Sequence, residues 1–196
     1  GVTHDARQGI AVNDFLQTSN PAIYAAGDVA SLYKFTHTAD AMARIVLKNA
    51  LFFGRDRVSA LTIPWSTYTD PEVAHVGMSE MEAGERGMAT ETITIPLTSI
   101  DRAILDGEDA GYLRVVVKKG SDKILGATLV ARHGGDMISE ITALMTAGAG
   151  LGTLGRTIHP YPTRAEVMKK AGDAYNRQKL RPWIQRVFKT LLSWRR

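Results

Sequence analysis

Three short stretches hold the side chains that could do chemistry. In HPYPTRAEV, residues 159–167, His159 and Tyr161 can each exchange a proton, and Glu166 can orient either one if the following helix turns back toward it. The same stretch has a purely mechanical reading. Pro160 and Pro162 fix their own φ and push His159 and Tyr161 toward extended backbone, so a helix is expected just after Pro162, with Thr163 as its cap and Glu166 in capping-box spacing. In IYAAGDV, residues 23–29, a short apolar strand ends in Gly27 and Asp28. Gly27 lets a ligand approach the backbone, and Asp28 can accept hydrogen bonds from sugar or polyol hydroxyls at the carboxyl end of a strand. Those seven residues also read as a strand followed by an Asx turn. Just beyond, Phe35, Thr36, His37 and Thr38 open a helix whose unpaired N–H groups suit an anion or an electron-rich ring edge. His37 itself reads as a structural residue at a helix start. Local spacing leaves each pair of readings open.

The elements that must position these residues fall into two groups. The first is a pair of short strands, Ile10–Asn13 and Ile23–Ala26, joined by a Thr-Ser-Asn-Pro turn. A helix from Thr38 to Phe53 follows, apolar on nearly every side and therefore expected to be largely buried, with Gly54 at its end. After residue 58 the sequence turns to strands rich in β-branched and aromatic residues: IPWSTYT, EVAHVG, TETITIPL, GYLRVVVKK and KILGATLVA. These predict an antiparallel sheet, with Gly120-Ser121-Asp122 as hairpin chemistry between the last two. Helices are expected over Ser79–Arg86 and Asp136–Ala149, the latter ended by Gly148 and Gly150. The fold class is α+β: an antiparallel sheet with packed helices, preceded by a remnant of an α/β domain.

Composition bounds what such a chain can be. Its 196 residues are 44% hydrophobic and 22% charged, the balance of ordinary globular protein. There are no cysteines, which excludes disulfides, thiolate metal sites and thiol nucleophiles within these residues. The formal charge of +4 is local in origin. Residues 177–196 hold seven of the 24 basic groups and no acidic ones, leaving 17 basic against 20 acidic residues elsewhere, a net of −3. A basic body that binds nucleic acid is disfavoured. The scattered histidines suggest no metal site. The chain opens at Gly1 without a leader or a run of 18 apolar residues, so a piece of a longer parent in a reducing, cytoplasmic compartment is expected.

Taken in order, TSNPAIYAAGDV, FTHTADAMARIVLKNALFFG, TDPEVAHVG and HPYPTRAE resemble the C-terminal part of the flavoprotein disulfide reductases, a family that includes dihydrolipoamide dehydrogenase, glutathione reductase, mercuric reductase and soluble transhydrogenase. The resemblance covers about residues 9–175. It implies that residues 1–58 are the last piece of an FAD-binding domain and residues 59–175 the interface domain through which these enzymes form homodimers. It matches Asp28, with Gly27 beside it, to the aspartate that binds the ribityl chain of FAD. It matches Phe35, Thr36, His37 and Thr38 to the segment whose N–H groups approach the flavin pyrimidine edge. Tyr161, Pro162 and Thr163 match the loop that reaches the partner's flavin.

At the position where the lipoamide and glutathione enzymes carry a catalytic histidine, this chain has Tyr161, while the paired glutamate survives as Glu166. His159 matches an earlier, non-catalytic histidine. A phenol with a pKa near ~10 is a poor base at neutral pH, so thiol exchange of the lipoamide or glutathione type is not expected. Tyrosine there resembles mercuric reductase and soluble transhydrogenase, although the C-terminal cysteine pair of mercuric reductases is missing. FAD and NAD(P)H are the implied cofactor and co-substrate of a longer parent, whose redox disulfide and Gly-rich fingerprints would precede Gly1; the chain alone is not expected to turn over. The alternative is a non-catalytic dimerisation or membrane-targeting module. From about residue 176 the chain becomes a basic tail, and residues 182–196 hold an amphipathic pattern suited to an anionic membrane surface or to packing on the protein's own dimer.

Overall fold

The computed structural model describes residues 1–179 and Ser193, and the expectations for the tail helix of residues 182–196 lie outside the described residues. The chain divides into two units, Gly1–Ile63 and a second that begins at Pro64.

In the first unit, β1 (His4–Asp5) pairs antiparallel with β2 (Gly9–Ile10). The strand expected over Ile10–Asn13 stops at Ile10. Asn13 is the reason: its Oδ1 accepts from the N–H groups of Phe15 (2.9 Å) and Gln17 (3.0 Å), a local closure that competes with extended backbone. The Thr-Ser-Asn-Pro turn forms, with Thr18 N–H on the Ile23 carbonyl at 2.9 Å and Ala22 N–H on Asn20 Oδ1 at 3.1 Å. The strand expected at Ile23–Ala26 shrinks to a single bridge between Gln17 and Tyr24. Its backbone finds ladder partners only in the Leu16–Thr18 segment, too short to sustain a strand.

Helix α1 (Thr36–Leu51) begins two residues earlier than expected. It is not largely buried. One stripe, Thr38, Met42 and Ile45, is buried, and Met42 and Ile45 pack with Leu16 and the partly buried Val12, Tyr24 and Ala26. Leu47, Leu51, Phe52 and Phe53 face outward, Phe53 to 98%. A single layer of this unit covers the helix, so an all-round apolar sequence leaves its other side bare. The end of α1 is tight: Phe53 takes a left-handed φ of 55°, and the N–H groups of Phe52 and Gly54 both donate to the Lys48 carbonyl.

The second unit is built on five strands. In chain order these are β3 (Pro64–Thr67), β4 (Glu72–Gly77), then helix α2 (Glu80–Glu85), β5 (Thr90–Pro96), helix α3 (Asp101–Leu105), β6 (Tyr112–Lys118) and β7 (Ile124–Ala131), followed by helices α4 (Gly134–Thr146) and α5 (Glu166–Gln178). The strands assemble in the order β3-β4-β7-β6-β5 with every pair antiparallel, the α+β architecture expected. The β6–β7 hairpin closes as the turn residues predict, with Lys118 N–H on the Lys123 carbonyl at 3.0 Å and Gly120 at φ 75°.

Strand β6 alternates imperfectly because its outer face, exposed at Tyr112, Arg114 and Lys118, is covered at Val116. Leu113, Val115 and Val117 enter the main core with Ile138 and Ile141 of α4 and Val167, Met168 and Ala171 of α5. Val116 instead packs with Leu125 and with Ala83 of α2 on the opposite face. Each such fully buried aliphatic side chain contributes about 1.5–3 kcal/mol. The β6–β7 register passes from Val116 opposite Gly126 to Val117 opposite Ile124, so Leu125 is the extra, bulged residue.

Local chemistry sets the helix ends. Ser79 caps α2 in a full capping box with Glu82. Helix α4 lacks a cap of its own; Glu72 of β4 supplies it, its Oε2 accepting from Gly135 N–H at 2.8 Å. Gly148, at φ 67°, turns the chain out of α4. Helix α5 lies against the 3-10 turn Leu151–Arg156 at a glycine-on-glycine contact, where a Cβ on Gly172 would come within 2.2 Å of the Gly155 nitrogen.

Candidate functional site

The loop between the 3-10 turn and α5 carries the residues of the opening motif. His159 is held rather than presented. Its side chain is only 7% exposed, its Nε2 lies 2.9 Å from Glu140 Oε1 of α4, and its Nδ1 lies 3.2 Å from the Thr157 carbonyl. Both ring nitrogens are committed inside this unit.

Tyr161 behaves oppositely. It is 71% exposed, precedes a cis peptide to Pro162, and donates its hydroxyl to Asp101 Oδ2 at 2.8 Å. The hydrogen bond to Asp101 is the main cause that holds its pKa above the ordinary 10.0 of a phenol; the Asp101 charge, partial desolvation and the charge of Glu166 push the same way. The group is therefore a neutral hydrogen-bond donor at physiological pH and not a base.

Thr163 does not cap α5. Its hydroxyl donates to the Pro160 carbonyl at 2.7 Å, so it braces the turn. The helix begins three residues later than Thr163, at Glu166, through three i to i−3 bonds: Glu166 N–H on Thr163, Val167 on Arg164 and Met168 on Ala165. Glu166 is no reciprocal cap either. Its Oε1 lies 3.3 Å from Lys170 Nζ, and its Oε2 is buried with no partner. The motif thus brings Tyr161 to Asp101, within the field of Glu166, and sends His159 to Glu140. Neither acidic partner was foreseen from sequence. Asp101 lies 60 positions before Tyr161, and Glu140 reads there only as one of several polar residues, with Asp136, Ser139 and Thr142, on the outer side of an apolar stripe.

In the first unit, Gly27–Val29 forms one 3-10 turn closed by Ala30 N–H on the Gly27 carbonyl at 3.0 Å, so no Asx side-chain bond is needed to make it. Gly27 is buried at φ +77°, and a Cβ there would sit 3.2 Å from Ala39 Cβ; glycine is what lets the turn rest against the first turns of α1. Asp28 is exposed beside it. The N-cap of α1 is Phe35, in extended backbone with no side-chain cap and no acid in the first turn. Phe35 stacks on His37 with ring centroids 5.2 Å apart, and the buried hydroxyl of Thr38 has no partner.

Residues 63–172 match the model of the pyridine nucleotide-disulphide oxidoreductase dimerisation domain, and residues 1–43 match the pyridine nucleotide-disulphide oxidoreductase model. The chain belongs to this family. It is 35% identical over 175 residues to mercuric reductase of Streptomyces lividans, a match covering 89% of this chain and 37% of the relative. It is likewise 35% identical over 178 residues to dihydrolipoyl dehydrogenase of Thermus scotoductus, covering 91% of this chain and 38% of the relative. The HOCl-induced flavoprotein disulfide reductase RclA of Escherichia coli superposes with a TM-score of 0.79 at 28% identity, covering 87% of this chain and 39% of the other. LpdA of Mycobacterium tuberculosis, at TM-score 0.83 and 23% identity, shares the fold. The chain therefore spans well under half the length of these relatives.

The dimerisation-domain match begins at residue 63, and the second unit begins at Pro64. No helix among the described residues is long and apolar enough to cross a membrane. Among the described residues, no group of three or more histidine, cysteine or acidic side chains could hold a metal ion.

Proposed function

We propose that the chain is the C-terminal dimerisation region of an FAD-dependent NAD(P)H oxidoreductase similar to mercuric reductase. In this reading residues 1–58 complete the FAD-binding domain and residues 59–175 form the homodimer interface. The observation that carries it is the start of α1. A helix N-terminus with no side-chain cap, an orphaned Thr38 hydroxyl and a glycine turn leading to the exposed Asp28 occur within one stretch of the first unit. These residues fit a flavin: Asp28 would accept from the ribityl hydroxyls, and the N–H groups of Thr36, His37 and Thr38 would face the pyrimidine edge. Bound FAD supplies two-electron exchange with a nicotinamide. The part of this chain's second unit is to present Tyr161, Pro162 and Thr163 toward the flavin of a partner copy, with Asp101 holding the phenol in one orientation and keeping it protonated.

Two measurements test this. Light scattering of the chain should give a dimer at micromolar concentration; monomer alone contradicts the interface. In the longer protein, Asp28→Ala should lower bound flavin, read from its visible absorbance after desalting, and full flavin content in that variant contradicts the site.

A second reading, a dimerisation module without redox chemistry, is favoured by the structural commitment of His159 to Glu140 and of Glu166 to Lys170. It predicts that a dimeric parent carries no flavin.

A further inference from the structure

Beside the Tyr161 loop a cavity of about 580 Å³ opens in the second unit, with Pro162 and Thr163 on its wall. This volume falls within the range of small-molecule pockets, roughly 300–1,000 Å³. Its chemistry is dominated by three guanidinium groups. Arg164, from the loop before α5, pairs with Asp106 Oδ2 at 2.7 Å and also with Glu108. Arg132, which follows β7, pairs with the same Glu108 from the other side. Arg102 of α3 donates from Nε to Asp106 Oδ2 at 2.9 Å.

The donors outnumber the acceptors. Each guanidinium carries about five N–H donors and no acceptor, while only two carboxylates stand among the three of them. The Nε of Arg164 is buried with no acceptor, and the Arg132 side chain remains 56% exposed after making its ion pair. His133 adds a further ring nitrogen to the lining. Three guanidinium groups against two carboxylates leave the cluster with a net positive charge beside the open volume. The Arg132 guanidinium, beside the buried and unpartnered Nε of Arg164, is the part of the cluster open to solvent.

We infer that this cavity binds a small oxyanion, a carboxylate or phosphate group, held between Arg132 and Arg164. Planar forked donors match such groups bidentately. Every lining residue lies in the second unit, and the charged ones are separate from the flavin reading, although Pro162 and Thr163 of the wall belong to the loop which that reading turns toward a partner's flavin.

The test is calorimetric titration of the full chain with inorganic phosphate and, separately, with citrate, at constant ionic strength set by chloride. Saturable binding of either is expected, with the affinity reduced about tenfold by Arg132→Gln and less by Arg132→Lys, which keeps the charge but loses the fork. Arg86→Gln, on α2's end and away from the cavity, should bind as the parent does. Circular dichroism identical to the parent establishes that the variants are folded, and Arg132→Lys serves if Arg132→Gln is not. Heats no larger than those of the chloride control, or unchanged affinity in both Arg132 variants, overturn the inference.

Discussion

Glu140 and His159 meet side chain to side chain at 2.9 Å, tying the middle of α4 to the loop that precedes α5. The imidazole is almost completely buried, so removing its carboxylate partner leaves a polar nitrogen without an acceptor or donor in a dry site. Glu140→Ala is expected to cost about 1–3 kcal/mol, the penalty of an unsatisfied buried polar group, and to lower the thermal unfolding midpoint measurably. An unfolding curve identical to the parent's contradicts the tie.

Tyr161 and Asp101 give a pH-dependent prediction. The folded phenol titrates above its ordinary value, so the stability it contributes is complete below pH about 10 and is lost as the pH rises through the raised value. Asp101→Asn should move one tyrosinate transition downward in an ultraviolet titration, and Tyr161→Phe should delete that transition. If Asp101→Asn leaves the titration unchanged, the hydroxyl is bonded elsewhere.

The capping box of α2 makes a prediction of opposite sign. Hydrogen bonds from the Ser79 backbone and hydroxyl hold the Glu82 carboxyl below its ordinary range. Its contribution is therefore present above the unfolded carboxylate pKa and is lost as the pH falls through the folded one. Ser79→Ala should cost about 1 kcal/mol near neutral pH and less in acid. Denaturant melts of parent and variant at two pH values check this, and a cost that grows in acid contradicts it.

Gly172 should not tolerate a methyl group. The backbone of the Leu151–Arg156 turn lies where the alanine Cβ would go, at 2.2 Å from the Gly155 nitrogen, and a backbone atom cannot swing aside as a side chain can. Gly172→Ala is expected to destabilise by about 1–3 kcal/mol, the usual range for overpacking. Gly84→Ala, where the added atom meets nothing, is the control, and equal melting of the two contradicts the contact.

The sheet was legible because β-branched runs separated by turn residues leave little freedom. All five strands were located from such runs, and Gly120 and Gly148 turn the chain where their neighbours predict. The first unit was less legible. Strand patterns at Ile10 and Ile23 describe preference, but a strand exists only where another backbone completes its ladder, and Asn13 diverts one of these segments into a turn. The exposed half of α1 has the same origin: an apolar sequence states that a surface is to be covered, not by what. In the loop, spacing marked Thr163 and Glu166 as a capping pair, yet the Pro160 carbonyl captured the Thr163 hydroxyl first. The partners of Tyr161 and His159 arrive from α3 and α4, and no local pattern encodes a meeting of residues so far apart.

The three successive valines of β6, buried alternately on two sides, have a cost in specificity. Over these three residues, sliding the strand by one exchanges valine for valine, and the valines by themselves do not distinguish the correct alignment from its neighbour. Alignment must then be fixed by the residues around the valines. Arg114 and Lys118 would be forced inward by a slip, and the Gly120 turn with the extra residue at Leu125 sets the count between β6 and β7. Loosening that turn should therefore produce misaligned, association-prone chains before it produces unfolded ones.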